Sequence, residues 1–204
     1  MEIGRRALQK VILKIMHKFL YPWEHYVVDN FFSEEMFYRL KEEKIESINF
    51  AENGTGRDSV SNRCFITHDY KSDLGKSLIK EYESYFSILF PIAGDLYDGH
   101  YRIEIANDSD MYYSNPHLDS LDKKVTIITY ISAPKNLGTD LYTTHDSKPY
   151  NVKWKDNRSL IFKPGNKEWH GMRKYTWQGL RRVIIFNTVL KENWKLIEQL
   201  WINN

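Results

Sequence analysis

The stretch VTIITYI, residues 125–131, indicates the fold class of this chain, because every position in it is β-branched or aromatic. Such side chains pack well on a pleated, half-buried sheet surface. Similar short runs, separated by turn-forming residues, lie on both sides of it at 101–105, 141–142, 159–162 and 183–187. From residue 100 onward the sequence therefore predicts a series of short β-strands.

The chain before residue 100 shows the helical period instead. Ser33 is a good N-cap for a helix that we expect to run to Ile45, and the acidic residues in its first turn favour the helix dipole. Apolar residues recur at helical spacing over residues 74–89, which predicts a further helix that ends near Pro91. Residues 192–202 predict a closing helix.

The order of these elements predicts the architecture. Helices first and many short strands afterwards favour a β-sandwich or barrel with helices against one face. A chain of 204 residues is long enough for one domain with a substantial core, and no segment has the composition of an interdomain linker. We therefore expect a single domain over residues 1–204, with a mostly helical part at 1–99, a strand core at 100–190 and a C-terminal helix at 191–204.

The composition and the charge narrow the functional classes. Lys and Arg number 29 against 27 Asp and Glu, a net charge of +2, so the overall charge does not favour binding to nucleic acid. The single cysteine, Cys64, cannot form a disulfide within the chain, as is typical of a reducing compartment. No apolar run approaches the roughly 18 residues that a membrane-spanning helix needs. The sequence thus predicts a soluble, cytoplasmic protein.

Residues 1–20 differ from the rest of the chain in charge and pattern. Five Lys and Arg residues stand there against one Glu, and apolar residues recur at helical spacing from Ala7 to Leu20. This pattern predicts a basic amphipathic helix. Such a helix can pack on the protein body, contact a membrane surface or a partner, or act as a targeting segment. We favour packing on the body.

A candidate metal site lies in the segment NPHLD, residues 115–119. His117 and Asp119 are two positions apart, so on an extended strand both side chains project from the same face. A third ligand is available from His170, in the segment EWHG. Two imidazoles and one carboxylate form the facial triad of non-haem Fe(II) oxygenases, which leaves coordination positions open for a cosubstrate and O₂.

An arginine after His170 strengthens this interpretation, since the His-x-Asp pattern alone often arises by chance. Arg181 opens the predicted strand RRVIIFN, residues 181–187. A buried guanidinium there can hold a carboxylate with two parallel hydrogen bonds, as a dicarboxylate cosubstrate requires. An arginine at the start of a strand is otherwise most often a solvated cation.

These motifs, taken in order, resemble the prolyl-hydroxylase-like branch of the Fe(II)/2-oxoglutarate oxygenases. The resemblance covers most of residues 23–190 and is far more specific as an ordered set than in any one piece. Its segments are WEHYVVDNFF at 23–32, HLD at 117–119, VTIITYI at 125–131, LGTDLY at 137–142, SLIF at 159–162, WHGM at 169–172 and GLRR at 179–182.

The resemblance implies a double-stranded β-helix, a jelly-roll or cupin-like core, with N-terminal helices packed on one sheet and the metal inside one end. It implies that His117, Asp119 and His170 are the iron ligands and the catalytic residues. The cofactors that it implies are Fe(II), 2-oxoglutarate as cosubstrate and O₂, with ascorbate as a supporting reductant.

The resemblance also implies residues for the cosubstrate. Arg181 matches the arginine that binds the distal carboxylate of 2-oxoglutarate, Tyr130 matches a tyrosine that assists it, and Asn107 stands where some relatives place another contact. Tyr130 could equally be a core aromatic. Val183 stands where many relatives have a serine two positions after the arginine, which leaves open whether Arg181 or Arg182 faces the pocket; we favour Arg181.

The expected activity is hydroxylation of a C–H bond, coupled to oxidative decarboxylation of 2-oxoglutarate to succinate and CO₂. The substrate would be a small molecule, a glycan component or a peptidyl side chain. An intact carboxylate at Asp119 favours hydroxylation, because related halogenases have a small residue there. Two alternatives stay open: an oxidative nucleic-acid demethylase, disfavoured by Asn187 at the position of a second arginine, and a non-catalytic β-barrel binding module.

Basic residues near the predicted ligands lead to a hypothesis about the substrate. Lys123 and Lys124 follow the first motif, and Arg173 and Lys174 follow His170. If Lys123, Arg173 and Lys174 face the pocket, they form a basic rim suited to an acidic substrate. The alternative for Lys123 and Lys124 is a solvated turn.

Overall fold

Two antiparallel β-sheets form the body of the protein. The computed structural model describes residues 16–44, 48–49, 61–65, 73–97, 100–108 and 112–189. The strands in this part of the chain are β1 (Met16–Phe19), β2 (His25–Val28), β3 (Ile48–Asn49), β4 (Ser61–Phe65), β5 (His100–Asp108), β6 (Ser114–His117), β7 (Lys123–Ser132), β8 (Thr139–Tyr142), β9 (Tyr150–Val152), β10 (Ser159–Phe162), β11 (Trp169–Met172) and β12 (Arg181–Val189). The helices are α1 (Glu34–Glu42), α2 (Asp73–Glu83) and α3 (Phe86–Ala93).

The larger sheet has eight strands in the order β1-β2-β10-β7-β12-β5-β4-β3, and the smaller sheet has four in the order β6-β11-β8-β9. From β5 to β12 the chain alternates between the two sheets, as in a jelly-roll core, except that β8 and β9 follow each other as a hairpin in the smaller sheet. The five strand runs predicted after residue 100 all lie in observed strands, namely β5, β7, β8, β10 and β12. The prediction of a mainly β fold is therefore confirmed.

The larger sheet is covered on both faces. Ile184 and Phe186 of β12 lie on its outer face and join a core cluster with the three helices; the Phe186 ring stacks on Tyr82 of α2 at 4.1 Å between centroids. Val183 lies on the inner face and joins a second cluster with Leu141 of the smaller sheet. Each such side chain, fully buried, stabilises the fold by about 1.5–3 kcal/mol. The predicted packing of helices on one sheet is confirmed.

Helix α1 begins as predicted and ends earlier. The hydroxyl of Ser33 accepts a hydrogen bond from the Met36 N–H at 3.3 Å, as an N-cap should. Glu43 has ψ of 124°, which is outside the helical range. The helix therefore ends at Glu42, and the prediction that it runs to Ile45 is wrong; Ile45 itself lies outside the described residues.

The single helix predicted over residues 74–89 is two helices, α2 and α3, separated by a turn at Ser84 and Tyr85. Pro91 lies inside α3 and does not end it. The helix ends at Gly94, which has φ of 74° and donates its N–H to the carbonyl of Phe90 at 2.8 Å. Glycine enters this left-handed region without steric cost, so Gly94 is the effective stop signal.

The N-terminal segment also differs from its prediction. Residues 16–19 form β1 and pair with β2 along the edge of the larger sheet. The helix predicted over residues 1–20 is therefore wrong in this part. Pairing with β2 outweighs the local helical pattern. Residues 1–15, and the helix predicted at 192–202, lie outside the described residues. The region before residue 100 contributes strands β1 to β4 as well as the helices. No described helix is long and apolar enough to cross a membrane.

Candidate metal centre and cavity

The smaller sheet brings the two predicted histidine ligands together. His117 ends β6 and is the direct register partner of His170 in β11, and their ring centroids lie 4.4 Å apart. Asp119 follows β6 by two residues. One ligand atom from each of the three residues lies within 4.8 Å of the others, so the sequence-predicted triad is assembled by the fold.

Gly171 allows the close approach of β11 to β6 next to the triad. A Cβ at this position would lie 2.5 Å from the carbonyl oxygen of Ser114 and 2.9 Å from that of Asn115. The pairing of the two strands is also irregular between His170 and Met172. Only a residue without a side chain fits this contact, which seats His170 opposite His117.

Both histidines can present Nε2 to a metal ion. Nδ1 of His117 lies 2.9 Å from the carbonyl oxygen of Asn115, and Nδ1 of His170 lies 2.9 Å from that of Glu168. A carbonyl oxygen only accepts, so each Nδ1 carries the proton and the ring lone pair is on Nε2. Such a second hydrogen bond fixes the orientation of a metal-binding imidazole.

Asp119 is held in its ionised form by its surroundings. Burial alone would raise the pKa of its carboxyl group, but the charge of Lys123, together with the hydrogen bonds from Lys123 and Thr126, outweighs burial and the pKa is lowered. Lys123 donates to Oδ1, and the Thr126 hydroxyl donates to Oδ2 at 2.6 Å. The Asn187 amide in turn donates to the Thr126 oxygen at 2.8 Å. The carboxylate orientation therefore depends on a chain of hydrogen bonds that reaches the centre of the larger sheet.

A β-bulge explains how Lys123 reaches Asp119. In a regular strand Lys123 and Thr126 would project from opposite faces, since they are an odd number of residues apart. The pairing of β7 with β12 shifts between Thr188 and Val189, which pair with Val125 and Lys123. The shift places the Lys123 side chain on the inner face. Sequence alternation alone could not have found this contact.

A cavity between the two sheets connects the triad with Arg181. Its wall on the larger sheet comes from inward-facing positions of β5, β7 and β12, and its opposite wall includes the two histidines. The charged residues that line it are Arg102, Glu104, Asp119, Lys123 and Arg181. Glu104 is 1% exposed and pairs with Arg102 at 2.7 Å. Oppositely charged side chains therefore lie next to each other in the cavity wall.

The structure distinguishes between the two neighbouring arginines. Arg181 lines the cavity and is 5% exposed. Arg182 projects from the other face of β12, where its Nε donates to Oδ1 of Asn107 at 2.8 Å and its Nη1 donates to the carbonyl of Leu40 at 2.7 Å. The expectation that Arg181 rather than Arg182 faces the pocket agrees with this geometry.

Asn107 is not placed with the other predicted site residues. It is the register partner of Arg182 on β5, so its side chain lies on the outer face beside α1. It does not line the cavity. The physical reason is strand alternation, since residues 104 and 108 face inward on β5 and an odd position between them faces outward. The predicted cosubstrate contact at Asn107 does not agree with this placement.

Tyr130 lies next to the cavity rather than in its wall. It is completely buried, stacks on Trp154 at 4.7 Å, and donates its hydroxyl to the Thr139 oxygen at 2.9 Å. Thr139 does line the cavity. Burial raises the pKa of Tyr130, so its hydroxyl stays protonated and remains a donor to Thr139. This placement agrees with the second alternative for Tyr130, a core aromatic residue. One hydrogen bond, to Thr139, connects it with the cavity wall.

The proposed basic rim is not formed. Arg173 makes two hydrogen bonds with the carboxylate of Asp140, at 3.0 and 2.9 Å, and Asp140 is fully buried. Lys123 forms an ion pair with Asp119. Arg173 and Lys123 are therefore paired with acids of this chain, and Lys174 is exposed and does not line the cavity. This geometry agrees neither with the rim nor with a solvated turn at Lys123.

Sequence reasoning missed several residues of the site, namely Arg102, Glu104, Asp108, Thr126 and Asn187. A signal existed for one of them, because residues 181, 183, 185 and 187 alternate on one face of a strand, which places Asn187 on the face of Arg181. The positions of the other four residues depend on the pairing register between neighbouring strands, which was not predicted.

Comparison with solved structures shows what the fold is similar to. A prolyl hydroxylase from Trichoplax adhaerens, in complex with a hypoxia inducible factor oxygen degradation domain peptide fragment, matches with a TM-score of 0.62 at 16% identity, over 95% of this chain and 94% of that one. A prolyl-4-hydroxylase from Pseudomonas putida matches with a TM-score of 0.57 at 12% identity, over 90% and 99%. HygX from Streptomyces hygroscopicus, with nickel and 2-oxoglutarate bound, matches with a TM-score of 0.57 at 10% identity, over 90% and 86%.

No protein-family model matches the chain, and no curated protein is similar to it in sequence. The similarity to known proteins is therefore one of structure, and it covers nearly the whole chain. The expectation of a jelly-roll core agrees with the sheet order and with these matches. The chain has the double-stranded β-helix fold of the prolyl hydroxylases and other Fe(II)/2-oxoglutarate oxygenases.

Proposed function

We propose that the protein is an Fe(II)- and 2-oxoglutarate-dependent oxygenase that hydroxylates a C–H bond. The observation that carries the proposal is the convergence of His117, Asp119 and His170 within 4.8 Å, with both imidazoles oriented by backbone carbonyls. Two nitrogen donors and one carboxylate suit non-haem Fe(II) and leave coordination positions for other ligands. Bound there, the metal with 2-oxoglutarate and O₂ supplies the oxidising chemistry, with succinate and CO₂ as products.

The residues around the triad fit this role. Lys123 and Thr126 keep the Asp119 carboxylate ionised and orient it, so that it presents a lone pair without a change of rotamer. Arg181 and Thr139 line the same cavity as the triad. A guanidinium and a hydroxyl are suitable donors for the distal carboxylate of a dicarboxylate cosubstrate.

The substrate is a small molecule, a glycan component or a peptidyl side chain in this proposal. Support comes from proteins with this fold, since one is solved with a peptide fragment and HygX is solved with hygromycin B. The intact carboxylate of Asp119 favours hydroxylation. A nucleic-acid demethylase is disfavoured, because Asn187 replaces the second arginine and is bonded to Thr126 inside the sheet.

An anaerobic titration tests the proposal. Fe(II) and 2-oxoglutarate are added to the apo-protein, and the visible metal-to-ligand charge-transfer band is recorded. We expect a band in the wild type, no band in His117→Ala, and a need for much more cosubstrate in Arg181→Ala. The band depends on both the metal and a chelating keto acid, so it reports the site directly.

Two matched controls sharpen the test. Arg182→Ala removes the neighbouring arginine from the opposite face of β12, and His17→Ala removes an exposed histidine of β1. Both should keep the wild-type band. A folded wild-type protein that gives no band would contradict the oxygenase proposal and would favour a non-catalytic binding module.

A further inference from the structure

The guanidinium of Arg181 is already shared with an acid of this chain. Its Nη1 donates to Oδ2 of Asp108, and its Nε donates to the carbonyl of Leu137 at 2.8 Å. Its face lies over the Trp154 ring, with 5.7 Å from Cζ to the centroid. Among the described residues, no hydrogen-bond partner is found for Nη2. Arg181 is therefore fixed in position with part of its donor capacity in use.

Asp108 is placed for this contact by the register of the sheet. It is the direct partner of Arg181 across β5 and β12, and opposite residues of antiparallel strands have Cβ atoms about 4.5–5.5 Å apart. Its side chain is completely buried, and that of Arg181 is 6% exposed. A fully buried pair of this kind is weak evidence for stability, because desolvation offsets much of the attraction.

The pair changes the electrostatics of this end of the cavity. A carboxylate that enters here meets a guanidinium whose charge is balanced by Asp108, and two carboxylates on one guanidinium repel each other in a poorly hydrated space. Thr139, an uncharged residue with a hydroxyl, lines the same cavity. In the proposed site the distal carboxylate would be received by Nη2 and this hydroxyl, against the repulsion of Asp108.

We propose that Asp108 is a positioning and affinity-setting residue, which holds Arg181 in place and weakens the binding of dicarboxylate keto acids relative to monocarboxylate ones. The inference rests on the proposed function, since it concerns the cosubstrate end of that site. It predicts that 2-oxoglutarate binds more weakly than it would to an unpaired arginine. Asp108 is not a catalytic residue, because it acts through Arg181.

The test is a binding measurement on the Mn(II)-loaded, full-length protein without O₂. Isothermal titration calorimetry gives the Kd of 2-oxoglutarate and of 2-oxopentanoate, which has the same chain length and no distal carboxylate. In Asp108→Asn, which keeps an acceptor for Arg181 and removes the charge, we expect 2-oxoglutarate to bind at least about tenfold more tightly. The Kd of 2-oxopentanoate should stay within about twofold.

A matched control and a second variant accompany this measurement. Asp29→Asn removes a carboxylate that pairs with Arg158, at 2.7 Å, away from the cavity, and it should leave both Kd values unchanged. If Asp108→Asn unfolds at a much lower urea concentration than the wild type, Asp108→Ser removes the charge with a smaller side chain and is measured instead.

The outcomes separate this inference from the proposed function. Selective tightening for 2-oxoglutarate supports the inference, and so does binding of 2-oxoglutarate by the variant alone. An equal change for both keto acids, no change, or weaker binding of 2-oxoglutarate overturns the inference and leaves the oxygenase proposal standing. Binding of neither keto acid by either protein overturns both.

Discussion

Replacement of Thr126 by valine should weaken metal binding. The same replacement at Thr129, three residues further along β7, should not. The Thr126 hydroxyl donates to Asp119 and accepts from Asn187, so Thr126→Val releases one oxygen of the candidate ligand. Thr129 projects from the opposite face of β7, where its hydroxyl is bonded to Ser159 at 2.7 Å. Thr129→Val is therefore a matched control, with the same chemistry and similar burial.

The magnitudes follow from these contacts. Each substitution leaves a buried polar partner without its hydrogen bond, which costs about 1–3 kcal/mol of unfolding free energy. Only Thr126→Val disturbs the orientation of a ligand, and loss of such an outer contact typically costs about 10- to 100-fold in metal affinity. The two variants should thus be similar in stability and differ in metal binding.

The assay is calorimetric titration of the apo-proteins with Mn(II), with urea unfolding in parallel. Thr126→Val should show the weaker Kd, and Thr129→Val should match the wild type. A wild-type Kd for Thr126→Val would refute the argument, since it would show that Asp119 is oriented independently of Thr126. A loss of the same size in both variants would refute it too, because it would point to general loosening of β7.

Three further outcomes can be measured. Hydrogen bonding from Arg158 is the main cause that lowers the pKa of Asp29 to about 2 from its ordinary value of 3.8. The contribution of this carboxylate to stability is therefore full above about pH 4 and is lost as the pH falls through about 2. Asp29→Asn should cost about 1 kcal/mol of unfolding free energy at pH 7, because the pair is partly exposed, and this cost should shrink as the pH is lowered through about 2. Gly171→Ala drives a methyl group into the backbone of β6 and should lower the free energy of unfolding by about 1–3 kcal/mol. It should also weaken Mn(II) binding, and an unchanged Mn(II) affinity would contradict the role of Gly171 in placing His170. Arg173→Ala leaves Asp140 buried with fewer partners and should cost about 2–4 kcal/mol in urea unfolding; a near-neutral result would show that Asn151 and the backbone satisfy Asp140 alone.

The triad could be predicted from the sequence because its signals are local. His117 and Asp119 stand two positions apart in one short motif, and His170 stands in another motif after it. The strands after residue 100 were predictable for a similar reason, since β-branched, aromatic and other apolar residues make up most of each run. The fold class followed from the order of these elements.

The rest of the site depends on register, which a single sequence does not determine. Asn107 was placed in the pocket, and it faces outward because it pairs with Arg182 instead of Arg181. Lys123 faces inward only because of a bulge in β7. Asp108 reaches Arg181 across two strands that are far apart in sequence. A shift of one residue moves a side chain to the other face of the sheet, so errors of this size are decisive.

Errors in the helical part have a different cause, which is competition between local pattern and tertiary pairing. Residues 16–19 carry a helical pattern and nonetheless form β1, because β2 has an open edge that they satisfy. Pro91 was expected to stop a helix, and Gly94 stops it instead. Local signals at such positions are weak compared with a hydrogen-bonded partner strand.

The two consecutive arginines of β12 link the interior of the protein to its helical layer. Arg182 donates from Nη1 to the carbonyls of Leu40 and Glu43, at 2.7 and 2.9 Å, and so holds the C-terminal turn of α1. Arg181 and Arg182 are neighbours on one backbone, so a ligand that shifts β12 at Arg181 would also shift the hydrogen bonds that Arg182 donates to this turn. The outer helix would then sense the occupancy of a site that it does not touch. Slower amide hydrogen exchange at Glu43, whose N–H bonds to Arg39, would be the mark of such communication through the thickness of the sheet.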